Sequence, residues 1–101
     1  MRNTAIFKLQ KISMIIEVDK SFEKDFSKIR DKNLQNRVIA KLDLLEWVKT
    51  IYEVSNVVAI KGSQNFYRIR IGDYRIGFKL DWNIVTLLRI RSRKDIYDIF
   101  P

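Results

Sequence analysis

The sequence contains no cysteine and no histidine. Without thiols the chain cannot form disulfides, thiolate metal sites or a cysteine nucleophile. Without imidazole it lacks the usual general base near neutral pH and the commonest metal ligand. Any catalysis must therefore use arginine, lysine, tyrosine or carboxylate side chains, and we expect neither a metal nor a cofactor.

Long apolar runs are also missing, because no stretch of 18 apolar residues exists and a membrane-spanning helix needs about that length. We therefore expect no membrane partner and a cytoplasmic location. A length of 101 residues with 47% hydrophobic side chains suits one domain with one modest core. Residues 1–13 lack the apolar core of a signal peptide. They are interpreted as an extension, either a mis-assigned start or a flexible cationic arm, before a domain of residues 14–101.

Positive charge is in excess but unevenly spread. The net charge of +8 divides into +3 for residues 1–13, +1 for residues 14–64 and +4 for residues 65–101. The middle of the chain is balanced, so the excess lies at the N terminus and in the last third. This distribution indicates a binding face for an anion rather than a generally basic protein.

Residues 65–79 alternate between apolar and cationic side chains and predict a β-hairpin that turns at Gly72 and Asp73. In that register Arg70 stands opposite Arg75, while Ile69 pairs with Ile76. Like charges that face each other destabilise a sheet. An anionic partner such as a phosphate backbone would compensate.

Residues 84–91 predict a third strand, after a turn at residues 81–83. Between positions 65 and 93 there are seven cations and two acids. A solvated sheet face is the plainer interpretation, but such a face usually mixes both signs of charge. The pattern therefore favours anion binding. The cations are Arg68, Arg70, Arg75, Lys79, Arg89, Arg91 and Arg93.

The earlier part of the chain predicts a strand at residues 14–18 and two amphipathic helices, the first capped by Ser21 and the second running from about residue 34 to Val48. Residues 57–60 fit a short strand or an extended loop. The order predicts an α+β fold. Its N-terminal strand and two-helix hairpin precede a three-stranded antiparallel meander, which completes a curved sheet with helices on one face and arginines on the other.

Two segments carry a resemblance to a known family: residues 67–75, Tyr-Arg-Ile-Arg-Ile-Gly-Asp-Tyr-Arg, and residues 93–97, Arg-Lys-Asp-Ile-Tyr. Residues 22–26 and 60–62 support it. In this order the segments resemble the RelE branch of the RelE/ParE superfamily of toxins from toxin–antitoxin modules, over residues 14–101. The resemblance implies a cognate antitoxin in a hetero-oligomer. It also implies a metal-independent mRNA endonuclease that cuts in the ribosomal A site, leaves a 2′,3′-cyclic phosphate and so inhibits translation.

The resemblance also implies roles for individual residues. Arg68 and Arg70 match the paired basic residues of the first long strand, and Arg75 matches a phosphate clamp. Arg93 matches the residue that assists the leaving group, and Tyr97 matches a tyrosine that stacks on a base. Packing of the tail onto the sheet is the alternative role for Tyr97. Further RNA contacts are expected at Lys61, Lys79, Arg89 and Arg91.

The sequence departs from the family at the general base. Ser92 stands where many relatives have histidine, and arginines replace lysines at positions 68 and 70. Because a guanidinium does not lose its proton, the base is unassigned, with an indirect role for Asp73 or Asp95 as one option. Two other functions stay open, namely a ParE-like gyrase inhibitor and a non-catalytic RNA-binding module. An antitoxin segment is expected to cover the second helix near Trp47, unless that residue belongs to the core.

Overall fold

The computed structural model describes residues 13–101, so the predicted extension lies outside the described residues except for Ser13. Five strands, three α-helices and one 3₁₀ turn follow one another in this range. They are β1 Ile15–Val18, α1 Lys20–Ser27, α2 Lys32–Trp47, the 3₁₀ turn Ile51–Glu53, β2 Val57–Ala59, β3 Phe66–Ile71, β4 Tyr74–Asp81, β5 Ile84–Ser92 and α3 Arg93–Ile99.

The strands form one mixed sheet in the order β1-β5-β4-β3-β2. β1 runs parallel to β5, and all other neighbours are antiparallel. The predicted α+β fold with its helical hairpin and meander is confirmed. Residues 57–59, which fitted either a strand or a loop, form the edge strand β2.

The predicted register of the β3–β4 hairpin is also confirmed. Arg70 pairs with Arg75, and Ile69 pairs with Ile76. Gly72 occupies the turn with φ of +57°. Glycine adopts this conformation at little energetic cost because it has no Cβ. The hairpin therefore places alternate side chains on opposite faces without a slip.

The main core lies between one face of the sheet and the helices α1 and α2. The two helices contribute Phe22, Leu34, Val38 and Leu45, which are buried against strand residues such as Ile76. Burial of aliphatic and aromatic side chains of this size contributes about 1.5–3 kcal/mol each, so this face stabilises the fold. No helix within residues 13–101 combines the length and apolarity needed to cross a membrane.

The start of α1 differs from the sequence prediction, and the assignment of Ser21 as N-cap is wrong. Asp19 caps the helix, and its carboxylate accepts a hydrogen bond from the backbone N of Ser21 at 3.0 Å. The hydroxyl of Ser21 donates to the carbonyl of Leu88 at 2.7 Å. Because β1 pairs with β5 only as far as Leu87, α1 covers the next part of that strand edge.

A third helix lies on the face that carries the arginines, whereas the sequence placed helices on one face only. Ile96 and Phe100 pack there against Ile60, with Phe66 and Leu88 at the margin. A Cβ on buried Gly77 would lie 2.6 Å from the ring of Phe100. Glycine at this position therefore allows α3 to approach the sheet closely.

Candidate nucleic-acid interface

Two adjoining clefts collect all five residues predicted to be catalytic. We call the first, of about 390 Å³, the strand cleft; it is lined by Val58, Arg68 and Tyr97. We call the second, of about 620 Å³, the helix cleft; Arg93 lines it together with residues of α2 and the hairpin turn. Asn56, Arg70 and Arg75 line both clefts.

Backbone geometry explains how the arginines meet. Arg68 and Arg70 are two positions apart on β3, so they share a face of the sheet, and Arg75 stands opposite Arg70 on β4. Ser92 caps α3 by accepting a hydrogen bond from the backbone N of Asp95 at 3.3 Å.

The start of α3 is tied to the hairpin turn. The backbone N of Arg93 donates to the carbonyl of Asp73 at 2.7 Å. This bond brings the first residue of α3 beside the turn that carries Gly72, and Arg93 thereby reaches the helix cleft.

The arginines that line both clefts are held by neutral groups. The backbone N of Arg70 donates to the carbonyl of Asn56 at 3.1 Å, and its Nη2 lies 3.4 Å from Asn56 Oδ1. Arg75 Nη1 donates to the carbonyls of Gly72 and Tyr74 at 2.9 and 3.0 Å. These partners orient the guanidinium groups without cancelling their charge.

Arg68 and Tyr97 contact each other across the strand cleft. The guanidinium carbon of Arg68 lies 4.6 Å from the centroid of the Tyr97 ring, a cation–π geometry. Tyr97 is 59% exposed, whereas its neighbours Ile96 and Phe100 hold α3 on the sheet. The tyrosine ring is therefore accessible to a ligand.

The charge around the clefts has no carboxylate partner in the described part of the chain. Within residues 13–101, no Asp or Glu oxygen lies within 4 Å of the guanidinium groups of the four cleft arginines that the sequence predicted to be catalytic. The residues that line the two clefts include neither Asp nor Glu. The clefts thus suit an anionic ligand, and they offer no carboxylate as general base. The four are Arg68, Arg70, Arg75 and Arg93.

The four additional cations expected to contact RNA lie elsewhere. Arg89 binds Asp25 through two hydrogen bonds, from Nε at 2.7 Å and from Nη2 at 3.0 Å. Arg91 lies 3.8 Å from both Asp25 and Asp95. Lys79 lies 3.6 Å from Asp81, and exposed Lys61 lines neither cleft.

Asp25 is the one charged residue that is almost fully buried in the described range, at 4% exposure. Burial favours its neutral form, but hydrogen bonds from Arg89 and the backbone N of Ile90 outweigh it, together with the charges of Arg89 and Arg91. The pKa of the Asp25 carboxyl is therefore held below its ordinary value of 3.8. The hydrogen bond to Asp25, together with the negative charge of that carboxylate, raises the pKa of Arg89. Asp25 and Arg89 thus act in the fold rather than at the clefts.

Three cleft residues were not found by sequence reasoning. Arg37 and Lys41 of α2 line the helix cleft, and Asn56 lies in the turn before β2. The spacing of Arg37 and Lys41 by four residues places them on one helix face, which is the available sequence signal. Asn56 adopts φ of +68°, a conformation in which asparagine is enriched.

Comparison with known proteins decides the family. Residues 16–97 match the family described as "ParE toxin of type II toxin-antitoxin system, parDE". The chain belongs to the RelE/ParE superfamily of type II toxins. The predicted resemblance is confirmed.

Individual relatives of this toxin are archaeal and bacterial. It is 46% identical over 46 residues to Toxin RelE3 of Methanocaldococcus jannaschii. The aligned segment covers 46% of this chain and 52% of that protein. The toxin thus aligns with about half the length of this curated relative.

Solved structures match over nearly their whole chains. The RelB–RelE antitoxin–toxin complex of Methanococcus jannaschii is 29% identical, with a TM-score of 0.73 and coverage of 84% of this chain and 99% of that one. The archaeal RelE–RelB complex of Pyrococcus horikoshii is 23% identical, with a TM-score of 0.69 and coverage of 83% and 99%. An E. coli RelE mutant in the free state is 14% identical, with a TM-score of 0.63 and coverage of 86% and 93%. The last two similarities show a shared fold.

Proposed function

We propose that this toxin is a ribosome-dependent, metal-independent mRNA endonuclease that inhibits translation in the cytoplasm. The observation that carries the proposal is the group of five arginines around two adjoining clefts, without a carboxylate within 4 Å in residues 13–101. Guanidinium groups match phosphate oxygens in geometry and charge.

The reaction suited to this site is attack of a ribose 2′-hydroxyl on the adjacent phosphate. The new P–O2′ bond forms as the P–O5′ bond breaks, which leaves a 2′,3′-cyclic phosphate and, once the leaving oxygen takes a proton from water, a 5′-hydroxyl. Arg70 and Arg75 neutralise the charge that develops on the phosphate, and Arg93 stabilises the leaving oxygen. Preorganised donors of this kind act mainly on the transition state.

Tyr97 and Arg68 hold the substrate in the orientation for attack. An exposed aromatic ring is a common support for an unpaired RNA base, and Arg68 keeps the Tyr97 ring beside the phosphate ligands. The residues lining the clefts include no carboxylate that could accept the 2′-hydroxyl proton, and we assign that proton to a group of the substrate or the ribosome. Transfer to a ribosomal group would make the reaction depend on the ribosome.

An antitoxin is the second partner in this proposal. The relatives from M. jannaschii and P. horikoshii were solved as complexes with RelB. We propose that an acidic or amphipathic segment of a cognate antitoxin covers the arginine clefts of this toxin or the α2 surface near Trp47, which is 72% exposed. Burial of that ring on complex formation would change Trp47 fluorescence, and unchanged fluorescence and protease sensitivity would argue against the contact.

Gyrase inhibition is the alternative, and the ParE description of the matching family favours it. The arginine clefts argue against it, because inhibition of a protein target does not require clustered phosphate ligands. An assay in a translating extract separates the two functions. We expect mRNA cut within A-site codons by the wild type, and strong loss of cutting in Arg75→Ala and Arg93→Ala.

Lys24→Ala is the matched control, because Lys24 is exposed and lines neither cleft. This variant should cut mRNA at the wild-type rate. Gyrase inhibition without RNA products would support the alternative. RNA affinity without either activity would identify a binding module.

A further inference from the structure

The helix cleft has a second cationic wall that the proposed cleavage chemistry does not use. On one side lie Arg70, Arg75 and Arg93, and on the other lie Arg37 and Lys41 of α2. Ala40 and Leu44 of α2 and Ile71 of β3 add apolar atoms to the lining. This cleft is larger than the strand cleft, with about 620 Å³ against about 390 Å³.

Arg37 lies beside the hairpin turn, and Lys41 lies beside the turn before β2. Arg37 Nη1 lies 3.1 Å from the position that a Cβ on Gly72 would take, so its guanidinium rests beside the hairpin turn. Lys41 Nζ lies 3.1 Å from Ser55 Oγ and 3.4 Å from the Ser55 carbonyl. In the described residues neither cation forms an ion pair with a carboxylate. Their charge is therefore available to a ligand.

The two clefts adjoin at Asn56, Arg70 and Arg75, which line both. A strand bound in both clefts would therefore stay in contact with Arg70 and Arg75. Single-stranded RNA carries a phosphate at each nucleotide, next to an apolar base face. Grooves for single strands combine cations that track the backbone with surfaces for the bases, and the helix cleft offers both.

We propose that the helix cleft is a second nucleotide subsite, in which Arg37 and Lys41 bind the phosphate next to the scissile one. The neighbouring base or ribose packs on Ala40 and Leu44. This inference rests on the proposed RNA substrate. It assigns to α2 a role in holding the substrate strand, whereas the cleavage chemistry stays with Arg70, Arg75 and Arg93.

The test compares the double variant Arg37→Ala/Lys41→Ala with the control Lys24→Ala/Lys32→Ala. Both remove two positive charges, and the control residues are exposed and line neither cleft. The probes are oligoribonucleotides of two and four residues with 2′-O-methyl groups, which block the attacking hydroxyl. Affinity is measured by calorimetry without ribosomes at several salt concentrations, after circular dichroism has shown that each variant is folded.

We expect the wild type and the control to bind the longer oligonucleotide about tenfold more tightly than the shorter one. The double variant should lose that gain while binding the shorter oligonucleotide within about twofold of wild type. Its plot of log affinity against log salt should be shallower by about 0.7, since each neutralised phosphate of a single strand contributes about that much to the slope. Arg37→Lys/Lys41→Arg, which keeps both charges, should retain most of the gain.

Wild-type affinity that does not depend on oligonucleotide length, or a double variant that keeps the full gain, would overturn the subsite. A double variant that loses affinity for an antitoxin but binds RNA as the wild type does would overturn it as well, because the helix cleft would then be an antitoxin-binding site. Absence of mRNA cutting by the wild type, combined with the expected length dependence, would refute the proposed endonuclease and leave the subsite intact.

Discussion

Asp25 and Arg89 form a two-point ion pair that fastens α1 to β5. The carboxylate of Asp25 accepts hydrogen bonds from Arg89 Nε at 2.7 Å and from Arg89 Nη2 at 3.0 Å. It also accepts a hydrogen bond from the backbone N of Ile90 at 3.1 Å. It thereby closes the edge of β5 beyond the end of β1. Arg89 therefore stabilises the fold and does not belong to the proposed RNA-binding surface.

Arg89→Ala should lower the free energy of unfolding by about 2–3 kcal/mol. Removal of one partner from a buried pair typically costs about 3–5 kcal/mol, and the loss should be smaller here because Arg91 remains 3.8 Å from Asp25. Urea denaturation measures the change. Arg70→Ala is the control, since Arg70 is exposed and, within residues 13–101, its side chain forms a single hydrogen bond, to Asn56. A loss as large in that variant would contradict the assignment.

Asp25 should also make stability depend on pH. Because the folded state holds its pKa below the ordinary value of 3.8, the carboxylate stabilises the protein fully above that value. This contribution is lost as pH falls from about 4 through the folded pKa, because the unfolded chain binds the proton more tightly than the folded protein does. Thermal unfolding from pH 7 to pH 2 measures it.

The comparison variant for this pH dependence is Asp25→Asn. It should be less stable at pH 7 and should lose less stability than wild type below pH 4. Asp98→Asn, at an exposed position of α3, should follow the wild-type curve. Parallel curves for wild type and Asp25→Asn would show that another group controls acid unfolding.

Gly77→Ala should displace α3, because the added Cβ would lie 2.6 Å from the Phe100 ring. Overpacking of this kind costs about 1–3 kcal/mol. The shift should also separate Tyr97 from Arg68 and reduce RNA cutting. Unfolding free energies and cutting rates are the measurements, and Gly77→Ala/Phe100→Leu should recover part of the stability. A stable Gly77→Ala with wild-type cutting would show that α3 needs no close approach.

Asn56 offers a way to separate orientation of Arg70 from backbone strain. Asn56→Gly and Asn56→Ala both remove the side-chain contact with Arg70 Nη2, so both should reduce the cutting rate by a similar factor. Only Asn56→Ala should lose stability, by about 1 kcal/mol, because φ is +68° here and alanine is disfavoured in that region. Wild-type cutting by Asn56→Gly would remove Asn56 from the site.

The hairpin was predictable because its information is local. Period-2 alternation and a glycine at the turn determine which residues face each other, so Arg70 opposite Arg75 follows from residues 65–79 alone. The same alternation predicts the face of β5 on which the Arg89 side chain lies. It does not predict that Asp25, 64 positions earlier in the sequence, forms an ion pair with Arg89.

The amino-acid sequence alone determined the hairpin register, the order of helices and strands, and the excess of arginine in the last third of the chain. These properties depend on neighbours within a few residues and on composition. Tertiary structure decided which cations stay unpaired, that α3 packs on the arginine face through Gly77, and that Arg37 and Lys41 complete the helix cleft. Such choices depend on contacts between distant segments, because a charge is available to a ligand only if the packed chain brings no carboxylate to it.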